Sequence, residues 1–290
     1  MTTIDLDTAV AEARRFVANA EAAIASMPSP HTLPLDVQRQ MMAAGAEPLD
    51  PRTTTDVIGG VPVRCFEPEG QLAGTYLHIH GGGWTMGSNA FQDARLWRFA
   101  ESCRARVVSI EYRLAPEHPF PANIDDCLTV ARELDGPIVV GGESAGAHLS
   151  ALLLTRHRDG FVGANLAYGC FDMGMSDAAR AWGDRVLVLS TPIIGWHLDQ
   201  LLPGLDVAQR RDPAISPLFA DLEGMPPALL TVGTDDPLLD DSRRLAARWP
   251  GAIIDVYDAG FHAFDLMPLQ LGELATRRQL DFVRERLASS

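Results

Sequence analysis

The segment Pro137-Ile138-Val139-Val140-Gly141-Gly142-Glu143-Ser144-Ala145-Gly146 opens on a short β-branched run and leads into the apolar stretch Ala145 to Arg156. The first part reads as a buried strand and the second as a helix, with the pattern G-x-S-x-G at the junction. A serine on so sharp a strand-to-helix turn takes a strained backbone conformation, and its neighbours must be small so that adjoining backbone can approach. Gly142 and Gly146 supply that room. The turn leaves the Ser144 hydroxyl at the carboxyl end of a sheet, where a helix N-terminus favours negative charge. Alone, G-x-S-x-G is a weak pattern in a chain with 25 glycines, and its setting between strand and helix gives it weight. A phosphate-binding loop is the other functional reading, and it fails because neither GxxxxGK[ST] nor GxGxxG occurs.

Outward from this turn, short β-rich runs alternate with helical ones. The strand runs are Val61 to Phe66, Gly74 to Ile79, Arg106 to Glu111, Pro137 to Gly141, Gly163 to Tyr168, Ala228 to Val232 and Ile253 to Tyr257. The helical runs are Phe91 to Cys103, Asn123 to Leu134, Ala145 to Arg156, Ser242 to Arg248 and about Leu269 to Leu287. This alternation predicts a parallel sheet covered on both faces. It breaks between Phe171 and Pro213, a stretch too long for an ordinary connection. We read residues 46–290 as a catalytic domain with a cap insertion at about 171–213, and residues 1–45 as an N-terminal helical segment that caps the same site. A proline-rich stretch (Pro28, Pro30, Pro34) precedes its second helical piece, near Met41 and Met42.

At 290 residues, 47% hydrophobic, the chain can bury a full core. The formal charge of −14 speaks against nucleic acid and anionic membranes as partners. No lysine occurs, so all 24 basic residues are arginine, which excludes Schiff-base chemistry, a Ser-Lys dyad and a P-loop lysine. Cys65, Cys103, Cys127 and Cys170 form no CxxC pair and are expected to be buried thiols. With neither a basic, apolar leader nor an 18-residue apolar run, a cytoplasmic protein is the expectation.

A tetrahedral intermediate needs backbone N–H donors aimed at its oxygen. The strand Thr75 to His80 leads into Gly81-Gly82-Gly83-Trp84, where three glycines let the main chain approach a substrate without Cβ interference. We assign the donors to Gly82, Gly83 and Ala145. His78 and His80 share a strand face, but no third metal ligand is evident nearby, and His80 is expected to buttress the glycine loop. Trp84 reads as packing.

Eight histidines compete for the role of general base: His31, His78, His80, His118, His148, His157, His197 and His262. In an α/β-hydrolase the order is Ser, then Asp or Glu, then His, with the histidine after the last strand. His262 fits. His148 lies one turn past Ser144 on a helix that carries it away from the hydroxyl, so it reads as packing. The orienting acid should follow the preceding strand, within Asp235-Asp236-Pro237-Leu238-Leu239-Asp240-Asp241. Asp236 is chosen because Pro237 biases it toward extended geometry, with Asp235 the rival. The remaining acids read as charges at a helix N-terminus.

With these pieces placed, the chain resembles the hormone-sensitive-lipase-like family of bacterial esterases. The resemblance rests on His80-Gly-Gly-Gly-Trp84, Glu111-Tyr-Arg-Leu-Ala-Pro-Glu-His-Pro-Phe-Pro-Ala122, Gly142-Glu-Ser-Ala-Gly146, Ser216-Pro-Leu218, Asp236-Pro-Leu238 and Phe261-His-Ala-Phe264, in the family's order. It implies an α/β-hydrolase fold with a mostly parallel eight-stranded sheet and a helical cap. It also implies no cofactor and no metal, hydrolysis of esters with short to medium acyl chains, and a homodimer joined through an edge strand. For the site it implies a triad of Ser144, Asp236 and His262 and an oxyanion hole of Gly82, Gly83 and Ala145. One departure is Glu143, where the family commonly carries aspartate. Tyr112 and Arg113 read as structural. The expected activity is a carboxylesterase on small-molecule esters. An amidase or formamidase on the same triad, or a non-catalytic ligand-binding relative, are the rivals.

Overall fold

The computed structural model describes residues 4–24, 27–44 and 49–289. Residues 1–3, 25–26 and 45 of the proposed N-terminal segment, and 46–48 and 290 of the proposed catalytic domain, lie outside the described residues. Eight strands form one sheet in the order β1-β2-β4-β3-β5-β6-β7-β8. They are β1 (Thr54–Ile58), β2 (Val61–Phe66), β3 (Gly74–Ile79), β4 (Ala105–Ile110), β5 (Ile138–Glu143), β6 (Phe161–Ala167), β7 (Ala228–Asp235) and β8 (Ala252–Phe261). β1 and β2 pair antiparallel, as do β2 and β4, and every other pairing is parallel.

The helices are α1 (Leu6–Ile24), α2 (Leu35–Ala44), α3 (Asp93–Cys103), α4 (Ala122–Arg132), α5 (Ala145–Arg156), α6 (Asp177–Ala181), α7 (Thr191–Leu201), α8 (Val207–Arg210), α9 (Leu239–Arg248) and α10 (Gln270–Ala288). β5 is buried along its whole length, as is nearly all of α5, because the strand lies mid-sheet under helices on both faces. Its largest core joins α4 and α5 to one face through Val140, Ile124 and Leu152, while α3 and α10 pack Trp97, Phe99, Leu280 and Phe282 on the other. All four cysteines are buried and free.

Three strands extend beyond their expected ends. β5 continues through Gly141 and Gly142 to Glu143, pairing Gly141 with Asn165 and Gly142 with Leu166. Glycines that look like strand breakers are there for close approach: a Cβ on Gly142 or Gly146 would overlap the Ile79 carbonyl oxygen. β7 and β8 run on to Asp235 and Phe261. The sequence pattern does not mark β1, because four of its five residues are exposed and no alternation of apolar and polar runs along it.

The break at 171–213 contains α6, α7 and α8, the first two capped by the hydroxyls of Ser176 and Ser190 and the third by a capping box from Asp206 and Gln209. α1 packs Ala9, Ala13 and Val17 against Phe261, Leu271 and Ala275, behind the sheet's β8 edge. No helix among the described residues is long and apolar enough to cross a membrane.

Candidate active site

Ser144 stands between β5 and α5 with φ +55°, in the left-handed region that L-residues avoid, so the sharp turn strains the serine itself. Its Oγ lies 2.9 Å from His262 Nε2, and His262 Nδ1 lies 2.9 Å from Asp236 Oδ2. Asp236 also accepts the Leu238 amide through Oδ1 at 2.9 Å, which holds the carboxylate against rotation. The two side chains meet because of how β7 and β8 pair. Gly233 stands opposite Tyr257, but Asp235 stands opposite Phe261, so β8 bulges by two extra residues before its end. Asp236 and His262 are then the first residue past the end of each strand. Gly233 allows the crossing, since a Cβ there would overlap the backbone of Gly260. Asp235, the rival acid, turns outward to Arg185 at 3.3 Å.

One of the acids at the start of α9 does more than stand at a helix N-terminus. Asp241 is 1% exposed and its Oδ2 accepts the amides of Phe171 and Asp172 at 2.8 Å each, tying the start of the 171–213 insertion to α9. Asp240 and Asp241 both stand in the first turn of α9, as the sequence reading has it, and the buried carboxyl of Asp241 in addition holds partners from another segment.

Gly82 and Gly83 have φ of +116° and +59°, so the loop after β3 needs glycine at both. Among the described residues no acceptor occupies the amides of Gly82, Gly83 or Ala145. Glu143 anchors the base of this loop. Its Oε1 accepts the Gly81 amide at 2.9 Å and the Gln92 side-chain amide, and its Oε2 is 3.1 Å from His78 Nε2. Burial opposes its charge, but His78, its hydrogen bonds and Arg95 together outweigh that and hold the carboxyl down to about 2.

His80 Nδ1 lies 2.8 Å from the Gly81 carbonyl, and the ring stacks on Tyr112, whose hydroxyl donates to the His80 carbonyl at 2.9 Å. His80 therefore supports the loop through one ring nitrogen, and its Nε2 is buried without a partner. Arg113 pairs with Asp126. Trp84 donates its indole N–H to His148 Nδ1 at 3.1 Å, and His148 Nε2 reaches the Ile215 carbonyl at 2.8 Å. Both rings are thus engaged away from the serine hydroxyl.

Several residues escaped sequence reasoning. The Tyr168 ring meets His262 edge-on at 4.8 Å, and its hydroxyl donates to Asp265 at 2.6 Å. Burial raises the Tyr168 phenol well above its ordinary value, so it stays a donor. Asp265 in turn pairs with Arg95 at 2.8 Å. The only sequence signal for Asp265 is its position three residues after His262, and Tyr168 had none beyond ending a strand.

These groups open into a cavity of about 1050 Å³. Leu33, Met41 and Met42 line it from the N-terminal segment, Val188, Ile193 and Ile194 from the insertion, Gln92 from just before α3, and Arg95 and Glu273 from α3 and α10. Among the described residues no cluster of three or more His, Cys, Asp or Glu side chains could hold a metal ion.

A parallel sheet with a strained serine at the elbow, and a histidine and a carboxylate brought beside it from the ends of the last two strands, defines an α/β hydrolase. The family model described as alpha/beta hydrolase fold matches residues 76–266. The chain is 35% identical over 239 residues to the carboxylic ester hydrolase LipN of Mycobacterium tuberculosis, covering 74% of this chain and 63% of that one. It is 30% identical to an esterase of Acinetobacter venetianus, covering 72% and 73%. It thus spans a little under two thirds of the length of LipN. Among solved structures, a hormone-sensitive lipase from a metagenome library superposes with a TM-score of 0.85 at 25% identity, covering 99% of this chain and 100% of that one. An esterase described as from the bacterial hormone-sensitive lipase family does so with 0.80 at 27%, with coverage of 99% and 100%. The chain belongs to the α/β-hydrolase-fold family and is related to its bacterial hormone-sensitive-lipase members.

Proposed function

We propose that the protein is a carboxylesterase that hydrolyses short to medium acyl esters through an acyl-enzyme intermediate. What supports this most is the unbroken chain from Ser144 through His262 to Asp236, with both links at 2.9 Å. The Ser144 hydroxyl donates to Nε2, so as the oxygen attacks the ester carbonyl its proton passes to His262. Asp236 accepts from Nδ1, fixing the tautomer and stabilising the imidazolium that forms. Negative charge on the carbonyl oxygen is met by the amides of Gly82, Gly83 and Ala145, each such donor being worth about 2.7 to 4 kcal/mol in the transition state. Collapse expels the alcohol with the proton from His262, and water activated by the same ring releases the acid.

The relatives named above are ester hydrolases, which favours esters over amides. In this reading residues 1–45 and the insertion at about 171–213 form a cap over a catalytic body of 46–290, supported by the cavity residues that both contribute. The charge of −14 suits a freely dissolved cytoplasmic enzyme, and exposed Ile253 and Val256 on edge strand β8 suit a homodimer joined there.

The test is hydrolysis of p-nitrophenyl esters from acetate to palmitate, each beside its matched amide, by the wild type and Ser144→Ala. Cleavage of the shorter esters, with a loss of at least ~10³-fold in the folded variant, is the expected outcome. A folded wild type that cleaves no ester would overturn the reading.

A further inference from the structure

The wall that the N-terminal segment and the insertion present to Ser144 is mainly apolar, with Leu33, Met42, Val188, Ile193 and Ile194. Gln38 in this wall spends its amide on the Leu33 carbonyl at 2.9 Å. His197, on α7, does not spend both of its ring nitrogens. Nδ1 lies 3.0 Å from Thr85 Oγ1. Nε2 has no partner among the described residues, yet it is not among the buried polar atoms sealed off without one. The ring lies directly on the oxyanion loop: a Cβ on Gly83 would fall 2.5 to 2.6 Å from Nδ1, Cε1 and Cγ. Glycine at 83 therefore serves twice, adopting a φ of +59° and admitting an imidazole against the backbone whose amide faces the developing oxyanion.

A polar atom in an apolar wall that no described residue hydrogen-bonds is the feature by which a pocket orients a ligand. Burial, with the nearby imidazoles of His31 and His262, lowers the His197 pKa to about 4, so the ring is neutral at ordinary assay pH. Whichever nitrogen carries the proton, a hydroxyl can complete the bond, because it both donates and accepts. An alkyl chain would leave Nε2 desolvated and unpaired.

We propose that His197 is a specificity-determining residue whose Nε2 hydrogen-bonds a hydroxyl of the substrate near the scissile carbonyl, making hydroxyl-bearing esters the preferred class. The proposal rests on the carboxylesterase reading and adds a substrate class to it. One net hydrogen bond corresponds to roughly three- to tenfold in kcat/KM.

The test measures kcat/KM for ethyl butyrate, ethyl 3-hydroxybutyrate and 2-hydroxyethyl butyrate, placing the hydroxyl on the acyl or the alcohol side. Wild type is compared with His197→Phe, which fills the space without a polar atom, and His197→Gln, which keeps an amide near Nε2. Comparing hydroxyl-to-plain ratios between proteins cancels the intrinsic reactivity of the esters. For at least one hydroxyl ester the wild-type ratio is expected to exceed that of His197→Phe by roughly three- to tenfold, with His197→Gln recovering part of the difference. The wild-type ratio is also expected to stay flat between about pH 5 and 8, since the neutral ring does not titrate there. Ratios that agree within about twofold between wild type and His197→Phe for both esters would overturn the assignment while the esterase reading stands. Failure of the wild type to cleave even ethyl butyrate would remove both.

Discussion

At position 143 a glutamate reaches three partners from beside Ser144, and its length decides what it can hold. The carboxylate joins His78 on β3, the Gly81 amide at the start of the glycine loop after β3, and Gln92 just before α3. Replacing it by glutamine keeps the size and removes the charge, leaving donors facing an amide group. With the carboxyl at about 2 against an ordinary 4.5, the charge contributes about 3 kcal/mol when fully ionised. A depressed carboxyl stabilises the fold above its unfolded pKa and loses that contribution as pH falls toward its folded one. Glu143→Gln is therefore expected to lower the urea unfolding free energy by about that amount at neutral pH, with the gap to wild type closing as pH falls from 4.5 toward 2. A gap that stays constant with pH would mean the carboxyl is not held ionised by these partners. Ser144, Asp236 and His262 could be singled out from the sequence because each stands at the end of a strand and chain order ranks the histidines. The roles of Tyr168 and His197 were not legible, since Tyr168 finds Asp265 97 residues away and His197 finds Thr85 112 residues away.

Elements were legible in proportion to how their burial differs along the chain. β2, β3 and α5 have the bounds that their patterns indicate, and for β2 and α5 the apolar run ends where burial ends. Edge strand β1 has no such contrast, and the bulge that carries His262 to Asp236 is a property of two paired strands that neither strand displays alone. α2 was recognised as a helix, but its attachment was not. Arg39 on α2 donates to the Thr85 carbonyl at 2.9 Å and the Ala115 carbonyl at 3.1 Å, and forms two bonds to Glu117 at 2.7 and 2.8 Å. Its Glu117 pair is partly exposed and contributes little to global stability. The carbonyl bonds instead hold α2, and with it Met41 and Met42, beside the cavity. Arg39→Ala is expected to raise KM for longer acyl esters severalfold, leave KM for acetate esters nearly constant, and change the unfolding free energy by about 1 kcal/mol or less. Equal changes in KM across the acyl series would show that α2 does not border the acyl chain.

Over the whole molecule, acid acts through buried groups of both signs. Burial depresses the pKa of His80, takes His148 down to about 4 against a further pull from the Ile215 carbonyl, and takes His197 down to about 4. Asp241 goes the other way, raised to about 6 chiefly by burial. A histidine kept neutral in the fold takes up its proton more readily when unfolded, so its effect on stability worsens as pH falls from 6.5 toward 4. A carboxyl raised in the fold has the opposite sign, with stability gained as pH falls from 6 toward 3.8. Self-repulsion among the surplus acids also relaxes as pH approaches the pI of about 4.9. Three imidazoles oppose one carboxyl, and each proton difference is worth about 1.4 kcal/mol per pH unit, against a diffuse surface effect weakened by salt. The histidines therefore win. Urea unfolding at about pH 7, 6 and 5 in about 0.15 M salt is expected to give a free energy that falls with each step, and most steeply between the last two. Adding His148→Gln should flatten the decline, since glutamine cannot take a proton in either state, whatever its cost at neutral pH. A stability that holds level or rises toward pH 5, with a profile that His148→Gln leaves unchanged, would mean that His148 is already charged inside the fold.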